Sequence, residues 1–288
     1  MNAKFLEIAI TSAVKAGNTL LHHYSDVLDS TIKESLRDVV TKVDKLAEQE
    51  IVSELMRTFP DIPILTEESG FIGTARTSVL NGDEAGKNLS QYWVVDALDG
   101  TVNYVNHIPF FCVSIALIQN QKAVVGVIYN PMLNDLYFGT IETGAFKNQN
   151  KLCIKDKPPE ESLFAVSFSG KGFRGEGTEG FAGRKSDTMQ RQEEFLAFGA
   201  VNDSSRGCLR TGCAAMNLAY LAEGRLGGCW GKANKHWDIA AGLLLAELAG
   251  AKVQFSLIET TKHLAHYLAA TPQTFEYLEQ KTKAVLSY

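Results

Sequence analysis

Apolar and small residues return at helical spacing from the start of the chain. Phe5, Ile8, Ala9, Ser12, Ala13, Ala16 and Leu20 share one face of a helix predicted over about residues 3–24. Further helices are predicted at about 44–58, 211–224, 238–249 and 272–285. Between Phe110 and Ile154 the pattern changes to strand character. Phe111–Ile118, Ala123–Tyr129 and Asp135–Phe138 are β-branched and aromatic runs separated by turn residues, which predicts a β-meander. The run from Leu243 to Ala249 stops at Gly250, a natural C-cap. No internal repeat is evident.

Three apolar segments carry carboxylates at one end. Tyr92–Val95 reads as a strand expected to run out at Asp96, with Asp99 three residues on, followed by Gly100 and Thr101. Ile62–Leu65 leads into Thr66-Glu67-Glu68-Ser69-Gly70, and Asp238 heads the run His236-Trp237-Asp238-Ile239-Ala240-Ala241-Gly242. Taken singly, Glu67 and Glu68 read as solvated turn acids and Asp238 as a capping residue. Together they weaken that account. Asp96 and Asp99 cannot both enter a core unpaired, because an uncompensated buried charge is prohibitively costly. Convergence on a hard cation solves that problem, and a Gly-Thr step offers backbone N–H groups and a hydroxyl to an anion. The pattern therefore points to Mg²⁺ and phosphate held at one place. The five cysteines, Cys112, Cys153, Cys208, Cys213 and Cys229, lack metal-ligand spacing and read as small buried hydrophobes.

Asp96-Ala97-Leu98-Asp99-Gly100-Thr101-Val102-Asn103-Tyr104 resembles the D-P-[IL]-D-G-T-x-N-[FY] motif of the inositol monophosphatase family of Mg²⁺-dependent, lithium-sensitive phosphatases. Trp237–Gly242 resembles its W-D-x-A-A-G motif, Thr66–Ser69 its G-E-E-S segment, and Asp38–Asp44 its D-x-V-T-x-x-D segment. The four fall in family order and span most of the chain. The resemblance implies a five-layer αβαβα sandwich, with an N-terminal α+β half over 1–150 and a C-terminal α/β half over 151–288. It implies hydrolysis of a small phosphate monoester by an activated water, and a homodimer. Glu67, Asp96 and the Leu98 carbonyl would hold one Mg²⁺, Asp96, Asp99 and Asp238 a second, and Glu67 a weaker third. Thr101 paired with Asp44 would orient and deprotonate the water, while the Gly100 and Thr101 N–H groups cradle the phosphate. Thr211–Ala215 resembles the family's G-[ST]-A-A segment, which places Gly212, Cys213 and Ala214 beside the substrate.

The departures from the family bear on substrate choice. Cys213 stands where Ser or Thr is usual, and Ala97 replaces the motif's proline. Gly231, seven residues before Asp238, stands where inositol monophosphatases carry a Glu that binds inositol hydroxyls. Lys232 and Lys235 add positive charge nearby. Inositol 1-phosphate is the default substrate. Fructose 1,6-bisphosphate, histidinol phosphate, 3′-phosphoadenosine 5′-phosphate and a catalytically silent phospho-ligand-binding member stand as alternatives. Lys33 either supports the third cation or lies on the surface.

Bulk properties agree with this reading. The 288 residues, 45% hydrophobic, can bury a large core, and a net charge of −5 argues against a nucleic-acid partner. Apolar stretches fall short of the ~18 residues of a membrane span. The odd cysteine count, on a chain whose start is amphipathic rather than signal-like, fits a reducing cytoplasm. Gly70–Ser90 is expected to act as a lid. Ser169–Arg191 is expected to be a loop whose Lys171, Arg174, Arg184 and Lys185 are chiefly solvated.

Overall fold

The N-terminal periodicity forms helix α1 (Asn2–His22), which buries Phe5, Ala9, Ser12, Ala13, Ala16, Gly17 and Leu20. A computed structural model of the chain describes residues 2–24, 31–32, 39–40, 42–73, 89–168, 185–259 and 263–286. Lys33, Asp38, Thr41, Lys171, Arg174, Arg184 and most of the expected lid (74–88) lie outside the described residues.

After a short hairpin of β1 (Thr31–Ile32) and β2 (Val39–Val40) comes α2 (Lys42–Thr58). The following strands are β3 (Ile64–Thr66), β4 (Gly70–Ile72), β5 (Gln91–Asp99), β6 (Cys112–Gln119), β7 (Lys122–Asn130), β8 (Asp135–Thr140), β9 (Gly144–Lys147) and β10 (Asn150–Lys151), with the short helix α3 (Thr101–Val105) after β5. They build one sheet in the order β10-β9-β8-β7-β6-β5-β3-β4. It is antiparallel except between β3 and β5. The expected meander is its centre. Side chains alternate across the sheet. Trp93, Val95, Ile115, Leu117, Val125 and Val127 pack with α1 and α2, whereas Tyr92, Val94, Ala116, Ile118 and Ile128 pack on the opposite face. Gly17 lets α1 approach closely, since a Cβ there would lie 2.5 Å from the Tyr129 ring.

The chain leaves this sheet at Lys151 and enters a second one at Leu163. Its strands are β11 (Leu163–Ser167), β12 (Gly207–Leu209), β13 (Gly228–Lys235), β14 (Lys252–Glu259) and β15 (Leu264–Ala270), ordered β12-β11-β13-β15-β14. Helices α5 (Ala214–Ala222) and α6 (His236–Ala249) lie between the sheets, and α4 (Lys185–Asp203) and α7 (Phe275–Thr282) cover the outer face. The layers are thus α1/α2, sheet, α5/α6, sheet and α4/α7: the αβαβα sandwich. Helix α6 is apolar all round because both its sides are buried. Trp237, Ala241 and Leu245 join the core of the first sheet, while Ile239, Leu243 and Ala246 join that of the second.

Several boundaries differ from the sequence reading. Residues 185–191, read as loop, begin helix α4; its apolar residues Phe195–Phe198 are contiguous rather than spaced, which hides a helical period. Gly70–Ile72 pairs with β3 instead of opening a loop. Cys153 is exposed, whereas the other four cysteines are buried. No helix among the described residues is long and apolar enough to cross a membrane.

Candidate metal and phosphate site

Strand β5 does not stop at Asp96 but continues to Asp99 through a bulge. Asp96 pairs opposite Ser114 and Asp99 opposite Cys112, so three steps on β5 match two on β6. In a regular strand, residues three apart point to opposite faces. The inserted residue brings Asp99 back to the side of Asp96. Ala97 and Leu98 consequently both enter the core beneath α1 and α2. The turn is held locally: Asp96 Oδ1 accepts the Leu98 N–H at 2.9 Å, and the Thr101 hydroxyl donates to the Leu98 carbonyl at 2.9 Å. Gly100 follows in the left-handed region at φ 92°, capping α3.

Three elements bring carboxylates together here. Glu67 comes from the turn after β3, Asp96 from β5 and Asp238 from the first turn of α6, and their ligand oxygens lie within 4.8 Å of one another. The Glu67 turn is braced from α2, where buried Glu48 accepts the Glu68 N–H at 3.0 Å and the Ser69 hydroxyl at 2.5 Å. Thr66 Oγ1 accepts the Ser69 N–H at 3.2 Å. Asp44, one helical turn before Glu48, is also buried.

Electrostatics marks the same place. Burial pushes the Asp96 carboxyl well above the usual carboxylate range, and the charges of Glu67, Asp238, Asp99 and Asp44 push it further. Asp99 is raised by burial and by its neighbours Cys213 and Asp238, against the Ala215 N–H, which donates to its Oδ2 at 2.7 Å. A group of oxygen donors that repel one another in a buried pocket fits a hard divalent cation, which turns the repulsion into attraction.

The segment before α5 is tied to this centre. Asn103 Nδ2 donates to the carbonyls of Phe110 at 2.7 Å and Thr211 at 2.9 Å. Gly212, at φ 86°, turns the chain, and Cys213 is the extended N-cap of α5, with Sγ 3.0 Å from Asp99 Oδ2. The first turn of α5 therefore addresses Asp99 through Cys213 and Ala215, with Ala214 between them. Ser114 donates to the Trp237 carbonyl at 3.1 Å and fixes the entry of α6. Glu48, Ser114 and Cys112, and the role of Asn103, were missed in the sequence. Glu48 was signalled by its i,i+4 spacing from Asp44, and Ser114 by being the polar residue in an apolar strand.

Gly231 lies at an irregularity where β13 pairs with β15. A Cβ at this position would sit 2.0 Å from Asn234 Oδ1 and 2.6 Å from the Tyr267 ring. The position thus carries no side chain, and the room for one is filled by Asn234 and Tyr267. Lys235 lies over the Trp237 ring at 5.2 Å.

Comparison with known proteins bears on family and fold. A profile described as "Inositol monophosphatase family" matches residues 1–281. Nus factor SuhB of Pasteurella multocida (strain Pm70) is 33% identical, covering 98% of this chain and 97% of that protein. An inositol-1-monophosphatase of Mesorhizobium japonicum is 34% identical, covering 85% of this chain and 84% of its own length. The structure of inositol monophosphatase from Anabaena (Nostoc) sp. PCC 7120 superposes with a TM-score of 0.77 at 29% identity, covering 99% of this chain and 98% of that one. Fold and acid cluster together define a metal-dependent phosphatase class. The chain belongs to the inositol monophosphatase family.

Proposed function

We propose that this chain hydrolyses a small phosphate monoester with Mg²⁺, inositol 1-phosphate being the first substrate to test. The observation that carries this reading is the convergence of Glu67, Asp96 and Asp238 from three separate elements. Those residues, with Asp99 and the Leu98 carbonyl, would hold two to three ions. When bound, Mg²⁺ supplies charge neutralisation and a more acidic water. The Gly100 and Thr101 N–H groups orient the phosphate at the start of α3. The Thr101 hydroxyl, now donating to Leu98, passes the water's proton toward Asp44 once that bond is released. Gly212, Cys213 and Ala214 border the substrate.

Filling of the Gly231 position favours loose selection among polyols, since a hydrogen bond left unmade costs about 1–3 kcal/mol. Lys232 and Lys235 favour a more anionic ligand such as fructose 1,6-bisphosphate. A panel of inositol 1-phosphate, fructose 1,6-bisphosphate, histidinol phosphate and 3′-phosphoadenosine 5′-phosphate tests this by phosphate release. Turnover that requires Mg²⁺ and falls with chelator and with lithium is the expected result. The name Nus factor borne by the Pasteurella relative supports a second reading, a protein that binds phospho-ligands or a partner without turning them over. Silence across the panel together with a metal-responsive melt would select it. Sedimentation checks the homodimer, and fractionation the cytoplasmic location.

Metal binding has its own readout. Mg²⁺ that binds only the folded chain contributes about 2.7 kcal/mol at a hundredfold excess over Kd. At about 2–4 °C for each kcal/mol in a chain of this size, the melting temperature should rise by roughly 5–10 °C over that in chelator. In chelator, Asp96 and Asp99 have raised folded-state pKa values, so the folded chain binds more protons than the unfolded one. Stability should then fall as pH climbs above the ordinary carboxylate range near ~4. Mg²⁺ should flatten that slope. A melt insensitive to both would remove the metal site.

A further inference from the structure

Beside the oxygen cluster stand two thiols that the proposed hydrolysis does not use as ligands, within reach of Asp99, which it does use. The thiols of Cys112 and Cys213 are free, buried and 3.7 Å apart. Cys213 Sγ lies 3.0 Å from Asp99 Oδ2, and the ligand atoms of all three residues lie within 4.8 Å of one another. They come from rigid places: the bulged end of β5, the start of β6 and the N-cap of α5. We infer that Asp99, Cys112 and Cys213 form a soft-metal site that takes Zn²⁺ and, in doing so, withdraws Asp99 from the Mg²⁺ ligands.

The geometry supports a tetrahedral ion. Zn–S bonds of about 2.3 Å at the tetrahedral angle hold two sulfurs about 3.8 Å apart, which matches the sulfur separation. With a Zn–O bond of about 2.1 Å, oxygen and sulfur stand about 3.6 Å apart. Asp99 Oδ2 must therefore retreat by about half an ångström from Cys213. Three protein ligands leave a fourth position for water or a substrate oxygen. Coordination releases the two thiol protons to solvent, as thiolate is the binding form.

Softness separates the two sites. Thiolate ligands select Zn²⁺ over Mg²⁺, which prefers oxygen and keeps its waters. The cluster depends on Cys213, which stands at the Ser/Thr position of the G-[ST]-A-A segment that Thr211–Ala215 resembles. Asp99 is shared, and occupation by Zn²⁺ opposes occupation by Mg²⁺. Only this antagonism rests on the proposed phosphatase reading; Zn²⁺ binding itself does not.

The test uses the full-length chain, chelator-treated and reduced, titrated with Co²⁺ as a spectroscopic stand-in for Zn²⁺. The expected result is a near-ultraviolet thiolate-to-Co²⁺ band saturating at about one equivalent and abolished by stoichiometric Zn²⁺. The band should vanish in Cys213→Ser, which restores the family's residue and keeps the fold, and in Cys112→Ser. It should persist in Cys153→Ser, because that thiol is exposed and is not one of the cluster's donors. A missing wild-type band, or one surviving both Cys112→Ser and Cys213→Ser, overturns the site. If a substrate is turned over, inhibition by Zn²⁺ should weaken at least tenfold in Cys213→Ser. Equal inhibition of wild type and variant overturns the antagonism. A wild-type band without phosphatase activity would keep the Zn²⁺ site and remove the phosphatase reading instead.

Discussion

Asp96→Asn should abolish phosphate release while raising the melting temperature of the metal-free chain. The amide is isosteric and keeps an oxygen for the Leu98 N–H, so the bulge survives. What disappears is the negative charge shared by both proposed Mg²⁺ positions. Electrostatic support of this kind is the main requirement for phosphate ester hydrolysis, and its loss should lower kcat by about three orders of magnitude or more. Without metal the same charge is a burden, since Asp96 is 2% exposed and faces Glu67, Asp238, Asp99 and Asp44. Removing it should stabilise the chelated chain by about 1–3 kcal/mol, or a few degrees of melting temperature. The Mg²⁺-induced rise should shrink at the same time. Calorimetry with and without chelator, paired with phosphate release, checks both signs. A variant that kept full turnover would sink the assignment of Asp96 to the metal.

Gly100→Ala should damage stability and turnover together. The position is left-handed at φ 92°, and a Cβ would lie 3.0 Å from the Phe110 carbonyl oxygen and 3.2 Å from both the Phe111 Cα and the Cys213 Cβ. Left-handed backbone costs a non-glycine residue about 1–2 kcal/mol. Contacts against backbone that cannot yield add about 1–3 kcal/mol. The total of about 2–5 kcal/mol corresponds to a melting temperature lower by roughly 4–20 °C. Relief would come by moving the Phe110–Phe111 turn or the start of α5, both of which frame the site. A displacement near 1 Å should reduce kcat/KM about a hundredfold. Thermal melts and Mg²⁺-saturated kinetics check the two effects. An alanine variant with a wild-type melt would show that the Gly100 turn yields freely.

The legible parts of the chain were those written in contiguous segments. Helix α1 announced itself by its periodicity, the central meander by its β-branched runs, and α6 by an apolar run ending at Gly250. The acidic motifs were equally plain, because Glu67, Asp96 and Asp238 each stand at one end of an apolar run, within a short recognisable segment. The second sheet was not read strand by strand. Its short strands, such as Gly207–Leu209 and Gly228–Lys235, carry glycine and polar residues and lack clean alternation. The loop expected up to Arg191 overlaps only the start of helix α4, and the rest of that helix carries no helical signal because its apolar cluster Phe195–Phe198 lacks helical spacing.

By itself the sequence carried the family, through short motifs in family order, and it placed the acids on their elements and pointed to a cation and a phosphate held together, since each of these signals lies within a contiguous segment. Tertiary structure decided which way side chains face and what they meet. The β5–β6 bulge, a matter of strand register, turned Asp96 and Asp99 to one side when plain alternation would have parted them. Packing of α2 against the Glu67 turn gave Glu48 its bracing role, and Asn103 met the Thr211 carbonyl across 108 positions. Crowding by Asn234 and Tyr267 closed the space at Gly231, while Cys112 and Cys213, 101 positions apart, became neighbours of Asp99. Each of these depends on contacts between segments distant along the chain, which no local pattern encodes.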